Sequence, residues 1–153
     1  MPRIHETYEV LETAADRLTR VARLLRFRAA GFLRAQGLDI TPEQWRLLLL
    51  LKDRDGRNQG DLADPLLGDY PNVTRMLDGL VRRGLVQRRP NPDDRRVVLV
   101  TLTMAGRDVL DQTLPELIQE KERYFDGLDR RELTELNRVL DMVESNLVRP
   151  PEA

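Results

Sequence analysis

The sequence predicts a mainly α protein with a small β-hairpin wing: a winged helix-turn-helix flanked by long N- and C-terminal helices. Three observations carry this expectation. Heptad-like apolar seams run through both ends of the 153-residue chain. Between them, two short helical segments meet at a glycine-containing turn. Residues 91–103, NPDDRRVVLVTLT, then set a charged, turn-rich corner on a run of β-formers.

Apolar residues in the first helix fall at Ile4, Tyr8, Leu11, Ala15, Leu18, Ala22, Leu25, Ala29 and Phe32, in alternating steps of 4 and 3. That spacing keeps one stripe on one side of a helix. A helix of about 30 residues is roughly 45 Å long at 1.5 Å per residue. A small globule needs less, so part of it is expected to pack against something outside the domain. Gly37 stands near its end. Thr41-Pro42-Glu43-Gln44 opens the next helix, with Thr41 as N-cap, Pro42 at the first helical position and Gln44 completing a capping box. The stretch from Trp45 to about Lys52 is apolar nearly all round and should be buried. Asp55-Gly56 ends that unit with a turn signal.

A short helix is predicted from about Asn58 to Asp64, a turn around Gly68, and a second helix from Pro71 to Arg83. Asp69 or Tyr70 lies at its N-cap and Gly84 just after it. Two short helices joined in this way form a helix-turn-helix candidate. Leu85 to Arg89 reads as a strand, Pro90 to Asp94 as a loop, and Val97 to Leu102 as the best β segment of the chain. Together they make a hairpin. Thr103 caps a helix reaching about Phe125, in which Pro115 imposes a kink or a local break. Asp129 with Glu132 resembles a capping box for a final helix, whose apolar positions Leu133, Leu136, Leu140, Val143 and Leu147 step 3, 4, 3, 4. The expected organisation is an N-terminal helix over 1–36, a winged helix-turn-helix lobe over 40–103 and C-terminal helices over 104–149. The tail from Pro150 is expected to fray.

Net charge is only −1, but it is unevenly spread. Tyr70 to Arg107 carries eight basic and three acidic side chains, a net +5, whereas Asp108 to the end carries six and twelve, a net −6. Residues 1–69 hold eleven of each. A basic middle between a neutral head and an acidic tail points to an anionic partner for the middle.

The wing tip and the preceding helix supply the side chains such a partner needs. Along a strand Asp94 and Arg96 are two residues apart and point the same way, so the carboxylate can orient the guanidinium by charge-assisted hydrogen bonds. An arginine fixed on a narrow hairpin fits a DNA minor groove, where the potential is most negative. Arg95 points the other way and suits a phosphate. In the helix, Val73, Leu77, Leu80 and Val81 form the apolar side, while Asn72, Arg75, Gly79 and Arg82 step 3, 4, 3 along another face. Asparagine and arginine near a helix N-terminus read adenine and guanine edges bidentately. Gly79 would permit close backbone approach, and Thr74 would serve a phosphate or a thymine methyl.

Composition narrows the alternatives. The chain has no cysteine and one histidine, His5. Disulfides, thiolate metal sites, histidine triads and multi-histidine metal sites are therefore not expected, and no cofactor is implied. No nucleophile–base pair, phosphate-cradling glycine loop or metal-ligand spacing stands out, so an enzyme is not expected. The longest apolar run, Leu47 to Leu51, is too short to cross a membrane, and Met1 to Ile4 leads into no apolar h-region. The expected compartment is the cytoplasm.

The text ITPEQWRLLLLL (40–51), GDLAD (60–64), PNVTRMLDGLVRRGLVQRRPNPDDRRVVLVTLT (71–103) and TMAGRDVL (103–110) resembles the multiple-antibiotic-resistance regulator (MarR) family of bacterial winged-helix transcription factors. The resemblance covers roughly residues 6–147. Its most specific piece is the D-x-R wing, Asp94-Arg95-Arg96, running through Leu102-Thr103 to Gly106. The resemblance implies a homodimer that binds double-stranded DNA at a near-palindromic operator, usually as a repressor. Asn72, Thr74 and Arg75 take the major-groove positions, and Arg96 the minor-groove position with Asp94 orienting it. Tyr8, Leu11 and Leu18 of the first helix, with Leu133, Leu136, Leu140 and Val143 of the last, fall to the interlocked dimerisation region. Release by a small aromatic or phenolic ligand is common in the family, and the absence of cysteine leaves a small-molecule effector, or none.

Three features depart from the family pattern or stand outside it. Pro65 falls where the first short helix usually continues, so that helix ends early or is distorted. Gly79 stands where a basic residue is frequent, which removes one possible phosphate contact. Trp45, the lone tryptophan, reads as core rather than as the wall of a ligand pocket. A winged-helix module that binds protein instead of DNA is the principal rival. The +5 segment and the Asp94/Arg96 pair disfavour it.

Overall fold

Helix α1 spans Pro2–Ala35, and its long seam is mostly uncovered: Tyr8 is 60% exposed, Leu11 64% and Leu18 40%. Near its C-terminal end Leu33 enters the core. A Schellman closure stops the helix. Gly37 takes φ 74°, its N–H bonds the Arg34 carbonyl at 2.9 Å, and the Leu38 N–H bonds the Leu33 carbonyl at 3.0 Å. These details come from a computed structural model that describes residues 2–54, 56–63 and 70–149, with side chains from residue 7 and, in the last stretch, from residue 71.

Helix α2 (Pro42–Asp53) opens with the predicted capping box. The Thr41 hydroxyl accepts the Gln44 backbone N–H at 3.2 Å, and the Gln44 side-chain oxygen Oε1 accepts the Thr41 N–H at 3.0 Å. Trp45, Leu47, Leu48 and Leu51 are buried. A two-residue strand, β1 (Arg57–Asn58), follows, then α3 (Gln59–Ala63), whose first turn is capped by the Asn58 side chain at 2.9 Å from the Asp61 nitrogen. Next come α4 (Tyr70–Arg82), β2 (Val86–Pro90), β3 (Val98–Leu102), α5 (Met104–Tyr124) and α6 (Arg130–Val148). A second Schellman closure, with Gly84 at φ 68°, turns α4 into β2.

The fold is thus mainly α with a small wing, and the wing has three strands rather than two. The order is β1-β3-β2, antiparallel throughout, with Arg57 opposite Val100 on one side and Val86 opposite Leu102 on the other. A two-residue strand leaves no alternation to read, so β1 has no sequence signal. Pro90 closes β2 instead of opening the loop. On an edge strand its missing N–H costs no ladder bond.

Three further expectations change. Val81 was placed on the apolar side of α4 but is 36% exposed, because it sits about 80° around the helix from Val73 at 100° per residue. Helix α5 is continuous through Pro115, so of the two alternatives, a kink or a local break, the break is absent. Tyr70 is already helical rather than a cap. Asp64, Pro65, the turn around Gly68 and Asp69 lie outside the described residues.

The chain forms two compact units, residues 1–117 and 118–153. Among the described residues, all the buried apolar side chains belong to the first, including Leu48, Leu62, Val73, Leu77, Leu80, Val100 and Leu110. Trp45 is part of this core at 5% exposure. Its indole N–H donates to the Thr113 hydroxyl at 2.9 Å, and that hydroxyl donates to the Val109 carbonyl at 2.7 Å. The second unit has the opposite character. Helix α6 buries no residue, although its Asp129–Glu132 capping box forms as predicted. No helix among the described residues is long and apolar enough to cross a membrane.

Candidate nucleic-acid interface

Val73, Leu77 and Leu80 anchor α4, each 0% exposed. With that stripe turned inward, Asn72, Arg75 and Arg82 stand on the exposed side. Thr74 is half-buried, and its hydroxyl accepts from the Gln59 amide of α3, so it ties the two short helices together.

Gly79 overturns its expected role. Periodicity placed it beside Asn72 and Arg75, open to close approach by DNA. It is buried instead, and a Cβ built there would lie 2.6 Å from Gln44 Nε2. The close approach is made by α2, not by a ligand. Helical arithmetic identifies a face but not what another element lays across it. Here the N-terminus of α2 and the Arg83 side chain cover that face at Gly79, while Arg82 beyond it stays exposed. Asn72 and Arg75 stay exposed at the N-terminal turns of α4, where recognition helices present their base-contacting residues.

The wing tip is closed by backbone bonds. Asn91 N–H reaches the Val97 carbonyl at 2.8 Å and Val97 N–H the Asp94 carbonyl at 2.9 Å, while the Asn91 side chain accepts the Asp93 N–H at 2.9 Å. Residues 94–97 form a turn, not a strand, so Asp94 and Arg96 do not meet by strand alternation. They meet through an Asx-type turn. Asp94 Oδ1 accepts the Arg96 backbone N–H at 3.0 Å and its Nε–H at 3.1 Å, and Oδ2 accepts from Nη2 at 3.3 Å. The Arg96 side chain is nonetheless 91% exposed. The guanidinium bond, then the backbone bond, hold the Asp94 carboxyl below its ordinary pKa. Arg95, next along the turn, is exposed.

Two ion pairs around α4 escaped the sequence. Asp78 of α4 holds Arg88 of β2 at 2.6 Å, joining the helix to the wing. Asp39 holds Arg83 at 2.7 Å, tying the end of α4 to the link between α1 and α2. Each partner comes from a different element, so no local spacing marks them. Arg75, Arg82, Arg89 and Arg95 have no ion pair among the described residues, and they leave this edge cationic. No group of three or more histidine, cysteine or acidic side chains able to hold a metal occurs among the described residues. Of the dimerisation candidates, Tyr8, Leu11, Leu18, Leu136 and Leu140 are exposed, and Leu133 and Val143 are half-buried.

A helix pair followed by a wing, with a polar helix N-terminus and a directed arginine at the free edge, defines a winged-helix protein. Comparison with known proteins narrows the class. Residues 40–98 match the MarR family. The chain is 41% identical over 75 residues to the multiple antibiotic resistance protein MarR of Escherichia coli (strain K12), covering 49% of this chain and 52% of that protein. It is 27% identical over 111 residues to the HTH-type transcriptional repressor IacR of Pseudomonas putida, covering 72% of this chain and 66% of IacR. The matches thus span about half to two thirds of these relatives. A crystal structure of an E. coli MarR variant complexed with operator DNA is 31% identical with a TM-score of 0.70, covering 82% of this chain and 92% of that one. This chain belongs to the MarR family.

Proposed function

We propose that the protein is a sequence-specific DNA-binding transcriptional regulator acting as a homodimer. The observation that carries this is the Asp94–Arg96 lock: an acid spent on aiming a 91% exposed arginine away from the protein. An ordinary solvated ion pair contributes little to stability, so the arrangement is better explained by a ligand that needs the direction. Arg96 enters a minor groove, Arg95 meets phosphate, and Asn72 and Arg75 read base edges in the adjoining major groove. Thr74 and Arg82 flank them. Phosphate contacts position the lobe and the helix face specifies the site. The E. coli MarR variant complexed with operator DNA supports DNA as the partner.

Residues 1–36 and 104–149 supply the dimer contacts in this reading. A unit of 36 residues whose last helix buries nothing cannot hold a core alone. A second copy would cover Tyr8, Leu11 and Leu18 together with Leu133, Leu136, Leu140 and Val143. Two-fold pairing would set the α4 helices about 34–36 Å apart, one DNA turn, on a near-palindromic operator in the cytoplasm. The sign we propose is repression, as for IacR, with a small aromatic or phenolic anion as the class of effector.

Fluorescence anisotropy against DNA upstream of the protein's own gene, and against a scrambled duplex, tests the proposal over a salt series. Tight, selective binding that falls steeply with salt is expected, and the slope reports the number of phosphates engaged. Equal, weak binding to that duplex, to the scrambled one and to every fragment selected from genomic DNA would replace it with a protein-binding winged helix.

A further inference from the structure

Glycine is disfavoured in a helix interior because it loses the most backbone freedom on folding. Gly79 nevertheless occupies the tenth of the thirteen residues of α4. The reason lies across the helix interface. The Gln44 side-chain amide sits where a Cβ at position 79 would be, 2.6 Å away. This amide is not a loose side-chain end that can step aside. Its oxygen accepts the Thr41 N–H at 3.0 Å and its nitrogen donates to the Met76 carbonyl at 3.2 Å, and the residue is 8% exposed. Moving it would open the capping box of α2 and remove the bond the amide makes to the Met76 carbonyl of α4.

The same corner of the chain touches α4 again and also touches α1. Asp39 binds Arg83, whose Nη1 donates to the Gly79 carbonyl at 3.1 Å. On the other side, Glu43 binds Arg26 of α1 at 2.6 Å. Residues 39–44 therefore hold the C-terminal half of α4 at two points while gripping α1. A helix fixed along this half has its N-terminal turns, with Asn72 and Arg75, set in place as a lever is set by its mount. Small displacements matter there, because bidentate base contacts need correct distance and angle at once.

We infer that Gln44 and Gly79 are positioning residues for DNA reading: the amide seated on the glycine fixes where α4 presents Asn72 and Arg75. The inference rests on the DNA-binding function proposed above. It also runs against the simplest use of the family resemblance, in which a side chain at position 79 would only add contacts.

The test compares Gly79→Ala, Gln44→Ala and the double variant with the wild type. Each is titrated on a duplex that the wild type selects from genomic fragments and on a random duplex, and its melting temperature is recorded. Gly79→Ala should lose about tenfold or more on the selected duplex and little on the random one, so that selectivity falls even where displacement of the amide also lowers the melting temperature. A merely structural role for the glycine would not separate those readouts. The double variant should bind no worse than Gln44→Ala alone, since contacting residues are non-additive. Wild-type affinity for the selected duplex in Gly79→Ala would overturn the inference while leaving the DNA-binding function intact. A wild type that selects no duplex would overturn both. If a variant fails to fold, hydrogen exchange of the wild-type Gln44 side-chain amide decides. Slow exchange supports the seat, and exchange at the rate of a solvated amide refutes it.

Discussion

Asp94 Oδ1 lies 3.0 Å from the backbone nitrogen of Arg96 and 3.1 Å from its Nε, so one carboxylate oxygen fixes both the turn and the direction of the side chain. Arg96→Ala is expected to weaken binding to the preferred duplex at least about tenfold, a loss of roughly 1.4 kcal/mol. Asp94→Ala keeps the cation but frees its direction, so it should lose less, and mainly on the specific duplex. Anisotropy titrations at fixed salt measure both. Unchanged operator affinity in Arg96→Ala would remove the wing from the interface.

Arg75 and Arg95 should separate specificity from affinity. Arg75→Ala is expected to lose about 1–3 kcal/mol on the preferred site, the value of one bidentate base contact, and little on random DNA. Arg95→Ala should weaken both duplexes alike and reduce the salt slope by about one. Competition titrations with the two duplexes distinguish these outcomes. Equal losses in Arg75→Ala would make it a phosphate ligand instead.

The core has its own polar thread from Trp45 through Thr113 to the Val109 carbonyl. Thr113→Val preserves volume but leaves a buried indole N–H unpaired, a cost of about 1–3 kcal/mol. Urea denaturation should show the loss as a lower midpoint with an unchanged slope. The chain has a single tryptophan, so fluorescence reports that site directly.

Glu43 predicts an acid limb. Burial pushes its carboxyl up, but the Arg26 side-chain bond, a backbone bond and the Arg26 charge outweigh it and hold the group below its ordinary value. A folded pKa below the unfolded one means stability that is fully present above the unfolded value and lost as pH falls through the folded one. The pair should therefore contribute at pH 5 and above, and fade below the usual glutamate range near 4. Stability curves between pH 7 and pH 3 should be flatter at their acid end in Glu43→Gln than in the wild type. Identical curves would assign the acid limb to other carboxylates.

What the sequence made legible was local. The Thr41–Gln44 and Asp129–Glu132 boxes span four residues each and form as read. The Asp94–Arg96 pair was legible although its geometry was not, because a turn and a strand both bring neighbours two residues apart into reach. Gly79 was visible as an oddity and given the wrong neighbour. The Asp78–Arg88 and Asp39–Arg83 pairs left no trace, since nothing in either segment announces the other.

By itself the sequence determined the mainly α class, the capped starts of α2 and α6, the exposed seams and the cationic middle. These follow from short-range hydrogen bonding and from the period of apolar residues, both written within a few positions of one another. Tertiary structure alone decided that β1 joins the wing, that Val81 turns outward and that Gln44 lies on Gly79. Burial and ion pairing depend on which distant element is packed alongside, and that is set only when the whole core closes.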